Sequence, residues 1–324
     1  MSDVDTAQSK PDAASSKPRR AVGLWYLFIL ALANLIWSGQ GTAVKVLEAR
    51  GWQPIAITFI PFYLTTLLLV PLLIYQRRRN PARVRPGGGD WWRFAVAGVC
   101  GQVLAQLGMT WGIHRSLASN GAILNLLIPV FSAVLASIML GERLTPLRAV
   151  SLAIGLVGVL LMSVGDLREA SFLQSSFLVG NLLILLGCFG SSFYNVYCKG
   201  LLERFAEVEI LIFSYITASL ASVPLLIWVE PFDAQSFSSL DLPGWLALGF
   251  LAVFMYGASM LLFFYVLEHI SVTVASNSLY LVPVFGVLFA VTILGEKLQP
   301  LAVVGAAIVL ASTVLVMRYD TASH

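Results

Sequence analysis

The chain has 324 residues, of which 58% are hydrophobic and only 11% are charged, and its formal net charge at pH 7 is +3. Because a soluble domain carries about a quarter charged residues, this composition excludes an ordinary soluble fold. So small a net charge on so apolar a chain also gives no indication of nucleic-acid binding.

The first 20 residues are polar and contain no apolar run, which predicts a disordered cytoplasmic tail rather than a signal peptide. After this tail, apolar stretches of about 20 residues recur, the length that a helix needs to cross roughly 30 Å of hydrocarbon. We predict an all-α polytopic membrane protein with ten transmembrane helices. The predicted spans cover about residues 23–41, 54–75, 92–112, 117–140, 146–164, 177–198, 208–229, 243–266, 271–293 and 299–317.

Basic residues are distributed unevenly among the predicted loops. With the amino terminus inside, 15 of the 20 Lys and Arg residues fall on the cytoplasmic side, five of them in the loop 76–90. The loop 230–242 carries three acids and no basic residue, and it falls on the other side. The positive-inside rule then predicts a multi-pass protein of the plasma (inner) membrane with both termini in the cytoplasm.

One stretch of the chain occurs twice. Residues 129–146, PVFSAVLASIMLGERLTP, return 154 positions later as PVFGVLFAVTILGEKLQP, and the same offset gives 16 identities over the 36 residues 127–162. Shared composition alone would not align Pro129 with Pro283 or Glu142 with Glu296, so the pattern indicates a duplication. Because each copy has five spans, an odd number, the second copy must enter the membrane with the opposite orientation.

The predicted organisation follows from this duplication. Two five-helix repeats, residues 21–164 and 177–318, are joined by a loop at 165–176 and flanked by tails at 1–20 and 319–324.

These features resemble the drug/metabolite transporter superfamily, in its ten-helix EamA-type branch. The matching pieces are the duplicated PVF and LGE[RK]LxP motifs and LIWSGQGTAVK at Leu35 to Lys45, where Ser38 stands in place of the family's usual Gly after Trp. The resemblance implies inverted five-helix repeats around a central cavity. It also implies export or exchange of small metabolites such as amino acids, while no motif assigns a substrate subfamily.

Polar residues within the predicted spans are the candidates for lining a solute path. Gln102 and Gln106 lie on one helical face, and their amides must face protein or water because lipid offers no partner. Ser38 and Ser192 occupy equivalent faces of the first and sixth spans, where lining and close helix packing are both possible roles. The predicted solute-lining residues are Trp37, Ser38, Gln102, Gln106, Trp111, Asn125, Ser192, Asn195, Tyr256, Tyr265, Asn277 and Tyr280.

Other residues are assigned structural or gating roles. Pro129 and Pro283 are predicted to kink their spans and to act as a paired hinge or gate. Glu142 and Glu296 are interpreted as turn-stabilising residues. No ionisable residue falls near the middle of a span, so the sequence offers no embedded acid for proton coupling, and a facilitator or exchanger fits at least as well.

The function predicted from these observations is transport of small neutral or zwitterionic solutes, foremost amino acids in the direction of efflux, by alternating access. A nucleotide-sugar or lipid carrier of the same superfamily is the alternative. An intramembrane enzyme is disfavoured because no embedded catalytic set is present. No cofactor and no metal site are predicted.

Two faces of small residues leave the oligomeric state open. The fifth predicted span carries Ser151, Gly155 and Gly158, and the tenth carries Gly305 and Ala306. Small residues permit close helix contact, either within the bundle or between copies. The expected partners are a small-molecule solute and membrane lipid, with the chain a monomer or a homodimer.

Overall fold

The structure is a computed structural model that describes residues 23–79, 85–116, 121, 124–162, 175–294 and 300–319. The predicted tail 1–20, all of the predicted tail 319–324 except Tyr319, most of the predicted loop 165–176, and Glu296 lie outside the described residues. The described residues are almost entirely helical and include no strand. The predicted all-helical class is therefore confirmed.

Ten apolar helical segments are found in the described residues. Six are long and apolar enough to cross a membrane, namely Leu24–Glu48, Pro54–Arg79, Gly88–His114, Phe177–Leu202, Glu207–Val229 and Leu242–His269. Four are shorter, namely Ile128–Leu140, Pro146–Leu161, Val272–Gly286 and Val303–Tyr319. These lengths support a polytopic membrane protein, and the number of ten crossings stays a prediction.

The α-helices are numbered in chain order. They are α1 (Leu24–Ser38), α2 (Gln40–Glu48), α3 (Pro54–Arg79), α4 (Trp91–Val96), α5 (Leu104–His114), α6 (Ile128–Leu140), α7 (Pro146–Met162), α8 (Ser175–Leu202), α9 (Glu207–Pro224), α10 (Leu242–Gly249), α11 (Ser259–His269), α12 (Val272–Asn277), α13 (Leu281–Leu294) and α14 (Pro300–Tyr319).

Departures from α-helical geometry recur at matching places in the two halves. A π-helical stretch, Ala97–Val103, joins α4 to α5, and another, Phe250–Ala258, joins α10 to α11. At the offset of 154 positions the first stretch falls inside the second. π-Helical turns are uncommon and concentrate at functional sites, so their recurrence marks these two segments.

The two prolines predicted to kink spans from within lie instead at helix starts. Pro129 lies in the first turn of α6, after the break in helix at 126–127. Pro283 lies in the first turn of α13, after the 3₁₀ turn Ser278–Tyr280. A first-turn residue has no carbonyl one turn earlier to bond, so proline is accommodated there without loss of a hydrogen bond. The discontinuity in each segment therefore precedes the proline.

The helices of the two halves pack on one another reciprocally. Helix α1 packs against α11 and α13, and its sequence equivalent α8 packs against α5 and α6. In each case the first segment of one half lies against the third and fourth segments of the other half. The second segments behave in the same way. Helix α3 of the first half contacts Phe250–Ala258 of the second half, and its equivalent α9 contacts Ala97–Val103 of the first half.

Helices α5 and α8 approach each other through glycines. A Cβ atom added to Gly108 would lie 2.6 Å from the backbone nitrogen of Gly187, and one added to Gly112 would lie 2.9 Å from the carbonyl oxygen of Gly180. Because the neighbouring atoms are backbone, only glycine allows this separation. The α5–α8 contact therefore fixes how the two halves join.

The small-residue faces of the fifth and tenth segments pack against each other within the chain. A Cβ atom added to Gly158 in α7 would lie 2.9 Å from the carbonyl oxygen of Gly305 in α14. These residues therefore support the bundle within the chain, and the choice between monomer and homodimer stays open.

A charged pair ties the end of α2 to the start of α10. Arg50 donates two hydrogen bonds to the carboxylate of Asp241, one of them 2.6 Å long from Nη2 to Oδ2. The same carboxylate caps α10 by accepting from the backbone N–H of Gly244 at 3.0 Å. The hydrogen bonds from Arg50, followed by that from Gly244, lower the pKa of Asp241 from 3.8 to about 2.

We expect this pair to give a measurable pH dependence of stability. Because the folded-state pKa is lowered, the contribution is complete above about pH 4 and is lost as the pH falls through about 2. Asp241→Asn should therefore lower the Tm in detergent slightly at pH 7, and the difference from wild type should shrink on acidification. A difference that stays constant from pH 7 to pH 2 would contradict the assignment.

Candidate solute-binding cavity

A cavity of about 780 Å³ lies between segments of both halves. Its wall is formed by α1, α2, the start of α3, α5, α8, the region around Tyr256, and the segment starts near Pro129 and Pro283. A volume of this size suits a small organic molecule. Both π-helical stretches contribute to its wall, Gln102 from one and Met255 and Tyr256 from the other.

The wall combines apolar, aromatic and neutral polar side chains. The amides are Gln40, Gln102, Gln106, Asn125 and Asn195. The hydroxyl and aromatic groups are Thr58, Thr110, Ser191, Tyr194, Tyr256, Tyr280 and Trp37. Among the lining residues, Glu48 is the acidic side chain and His114 the basic one, and both are exposed. The deeper part of the cavity therefore offers hydrogen bonds without a fixed charge.

Nine residues singled out from the sequence lie in this wall. They are Trp37, Gln102, Gln106, Asn125, Asn195, Tyr256 and Tyr280 of the predicted lining set, with Pro129 and Pro283 of the predicted hinge pair.

The two equivalent serines lie away from the cavity wall. The hydroxyl of Ser38 donates to the carbonyl oxygen of Leu35 at 2.7 Å. The hydroxyl of Ser192 is fully buried and donates to the carbonyl oxygen of Ile128 in α6 at 2.9 Å. The sequence left two roles open for these serines, lining the cavity or packing between helices. In the structure both serines bond backbone carbonyls within or between helices and do not line the cavity.

Trp111, Tyr265 and Asn277 also lie away from the cavity wall. Trp111 packs against the hydrophobic core, and Tyr265 is 39% exposed, with its ring 5.0 Å from that of His269. Asn277 is 1% exposed at the end of α12, where it faces the interior of the protein behind the wall. The position of a residue around its helix, which is all that the sequence gives, did not distinguish residues that face the cavity from these three residues, which do not.

Sequence analysis missed several residues of the wall. Thr58 in α3 lies 3.1 Å from Thr110 in α5, measured between their hydroxyl oxygens, and both line the cavity. Tyr194 lines its deep end and bonds Ser214 at 2.9 Å. Thr58 and Thr65 lie seven residues apart, on one face of the second segment, and this spacing is the signal in the sequence that points to Thr58. Tyr194 was detectable as a neighbour of Asn195.

The cavity reaches one end of the bundle, at Glu48, Ile113 and His114, all of which are exposed. The opposite end is closed by packed aromatic rings. Trp37 lies 5.3 Å from Phe263, and Tyr194 lies 5.7 Å from Phe264, measured between ring centroids. We refer to these two ends as the open end and the closed end.

At the closed end, the glutamate of the first LGE motif caps a helix of the other half. Glu142 accepts hydrogen bonds from the backbone N–H of Val272 at 2.6 Å and from the N–H and hydroxyl of Thr273 at 3.2 and 2.9 Å. Arg148 lies 3.7 Å from the same carboxylate. A carboxylate at the N-terminus of α12 is favoured by the unpaired N–H groups there. Glu142 thus joins the two halves, a larger role than stabilising its own turn.

Lys199 makes the second polar contact at the closed end. Its ammonium group donates to the carbonyl oxygens of Leu267 at 2.6 Å and Glu268 at 3.1 Å, in the last turn of α11. A cation at the C-terminus of a helix is favoured by the carbonyls that lack a helical partner. Lys199 and Glu142 together hold the turn between α11 and α12.

The architecture and the cavity define a class, the polytopic helical transporters. The model of the EamA-like transporter family matches residues 24–164 and again residues 178–318. The chain therefore belongs to the EamA-like transporter family. The two matched stretches also confirm the resemblance derived from the duplicated motifs.

Similar proteins are transporters by name. The chain is 26% identical over 294 residues to a "Probable terminal-alkyne amino-acid exporter" of Streptantibioticus cattleyicolor, a match that covers 90% of this chain and 93% of that protein. It is 23% identical over 288 residues to the "Uncharacterized inner membrane transporter YedA" of Escherichia coli (strain K12), covering 87% of each. One solved crystal structure matches with a TM-score of 0.74 at 17% identity, covering 90% of this chain and 96% of that chain, which shows the fold alone.

Proposed function

We propose that this protein moves small neutral or zwitterionic organic solutes, foremost amino acids, across the plasma (inner) membrane by alternating access. The observation that carries the proposal is the cavity of about 780 Å³, lined by both halves with neutral hydrogen-bonding and aromatic groups. Neutral amides and hydroxyls can pair with both the ammonium and the carboxylate of a zwitterion without favouring either net charge.

We further propose ten crossings arranged as two inverted repeats, with both termini in the cytoplasm. The reciprocal packing of α1 on α11 and α13, and of α8 on α5 and α6, supports a two-fold relation between the halves. The bias of basic residues toward one side supports the orientation. In this orientation the open end of the cavity faces outside and the closed end faces the cytoplasm.

Alternating access requires that the contacts of the closed end can be released. Glu142 and Lys199 hold that end through polar contacts with the turn joining α11 to α12. Lys45, the sequence equivalent of Lys199, lies at the open end and is exposed. We propose that solute movement breaks the closed-end contacts and that the halves then exchange their roles.

The proposed substrate class draws support from one relative. A protein 26% identical over nine-tenths of this chain is named a probable amino-acid exporter. We therefore propose efflux as the direction of net movement. The alternatives are a nucleotide-sugar or lipid carrier, for which the described residues in the deep part of the cavity offer no basic side chain to pair with phosphate.

The test is transport by purified protein in liposomes. Pooled amino acids inside the vesicles should leave faster with protein than without it. Changing Gln102 and Gln106 together to leucine should lower the initial rate at least about tenfold, because both amides that orient the solute are lost. Gln53→Leu, at an exposed position between α2 and α3, serves as the matched control.

Two outcomes would contradict parts of the proposal, one concerning the glutamines and one concerning the substrate class. Unchanged transport in the double variant would place the two glutamines in a structural role. Thermal stabilisation of the purified protein by nucleotide sugars or by lipid headgroups, and none by amino acids, would overturn the proposed substrate class.

A further inference from the structure

Buried polar atoms without a hydrogen-bond partner are concentrated in one part of the protein. In the described residues, ten buried side-chain nitrogen and oxygen atoms have no partner, and six of them belong to five residues of the second half and α7. These residues, here called the Asn277 cluster, are Ser151, Ser276, Asn277, Tyr280 and Ser312. Each is at most 1% exposed.

Close packing brings two of these residues, Tyr280 and Ser312, together against Gly155 of α7. A Cβ atom added there would lie 2.5 Å from Cδ2 of Tyr280 and 2.9 Å from Oγ of Ser312, so both side chains lie against the same point of the helix. Ser151 is one turn earlier on the same face of α7, and Asn277 is one turn before Tyr280. Helices α7, α12 and α14, which carry every member of the cluster except Tyr280, all pack on one another.

The cluster lies where the helical path of the ninth segment changes. Helix α12 ends at Asn277, a 3₁₀ turn covers Ser278–Tyr280, and α13 begins at Leu281. Interrupted membrane helices bring helix ends and loosened carbonyls to mid-membrane, and transporters use such places to hold small cations. Here the interruption coincides with side chains that lack partners.

The chemistry of the cluster suits a small hard cation. Its unpartnered atoms are three serine hydroxyls, a tyrosine hydroxyl and both polar atoms of one amide, so five of the six are neutral oxygens. Oxygen ligands are those that alkali and other hard cations prefer. The charged residues at the near ends of these helices are Arg148, held by Glu142, and Arg318, one residue from the end of α14.

We propose that the Asn277 cluster is a binding site for a small alkali cation, with Na⁺ as the probe. A single buried water makes two to four hydrogen bonds, fewer than the five oxygen atoms that lack partners here. Leaving so many polar groups unpaired in a membrane interior is costly, which a bound ion would relieve.

The site would be coupled to the cavity through Tyr280. The ring of Tyr280 forms part of the cavity wall while its hydroxyl belongs to the cluster. A bound cation would fix the position of this ring and thereby the shape of the solute site. This coupling rests on the proposed transport function. Cation binding itself does not depend on that function, so the test below measures cation binding alone.

The experiment is thermal unfolding of purified protein in detergent at constant ionic strength, with NaCl exchanged stepwise for choline chloride. Once the Na⁺ concentration exceeds the dissociation constant of the site, the Tm of the wild type should rise by about 3 °C for each further tenfold increase in Na⁺. Asn277→Ala and Ser312→Ala should each lose the Na⁺-dependent gain. Ser219→Ala removes an unpartnered buried hydroxyl of α9, outside the cluster, and should keep the gain.

Two results would overturn the proposal. The first is a wild-type Tm that is the same in Na⁺ and choline, with Ser312→Ala destabilising equally in both, which would show water as the occupant. The second is stabilisation by Ser312→Ala in every salt, which would show that its hydroxyl has no partner at all. Absence of transport with a Na⁺-dependent Tm would reject the proposed function and leave the site standing.

Discussion

Replacing Gly108 by leucine is expected to abolish accumulation of folded protein in the membrane. The added side chain would begin 2.6 Å from the nitrogen and 2.7 Å from the Cα of Gly187, and 2.7 Å from the carbonyl oxygen of Leu183. All three atoms are backbone, so no rotamer change relieves the overlap, and α5 and α8 must separate. That separation would open the contact that joins the two halves.

A graded variant makes the same prediction measurable in folded protein. Gly108→Ala adds only the Cβ atom and should cost about 1–3 kcal/mol, the usual range for overpacking. Gly249→Ala is the matched control, because a Cβ atom there meets nothing within 4 Å. Thermal unfolding with size-exclusion chromatography measures both. Equal stability of the two alanine variants would show that α5 and α8 are not held at this separation.

Replacing Lys199 by methionine is expected to release the closed end of the cavity. The variant keeps the length and apolar stem of the side chain but removes two charge-assisted hydrogen bonds to Leu267 and Glu268. Bonds of this kind are worth about 1.5–3 kcal/mol each, so the population open to the opposite side should rise about tenfold or more.

The change can be followed with a cysteine at Met260, which lines the deep part of the cavity. In a background lacking Cys100, Cys188 and Cys198, a membrane-impermeant maleimide should label wild type from the open end. The Lys199→Met variant should become labelled from the other side. Lys45→Met is the control and should keep labelling from the open end. Identical labelling in all three proteins would exclude a role for Lys199 in holding the closed end.

The duplication made much of this architecture predictable. Residues 154 positions apart, such as Lys45 and Lys199, occupy corresponding helix ends, and π-helical stretches recur at corresponding places. Gln102 and Gln106, which share one helical face, both lie in the cavity wall, and their contact with a solute stays a prediction. Composition alone predicted the helical membrane class, because few other chains are so apolar over such regular lengths.

Local hydrogen bonding could not be foreseen from the same pattern. A serine hydroxyl within a helix can bond a backbone carbonyl as well as a solute, and Ser38 and Ser192 both bond carbonyls. The role of Glu142 depended on a partner 130 residues away, which no local spacing reveals. The sequence predicted a kink at Pro129 and at Pro283, whereas the structure has a helix break about one turn before each proline. A difference of one turn is within the uncertainty of any helix boundary drawn from hydropathy.

The contact of α1 with the second half imposes a delay during synthesis. Asn34 is fully buried and donates a 3.0 Å hydrogen bond to the hydroxyl of Ser278, which lies 244 residues further along the chain. At about 5–20 residues per second, the ribosome needs roughly 10–50 s to produce that partner. For most of that time the first helix lacks both of its final neighbours in the second half, α11 and α13. In the interval the amide keeps its 2.7 Å hydrogen bond to the carbonyl oxygen of Leu30 in the same helix, and it gains its second partner only when the second half arrives.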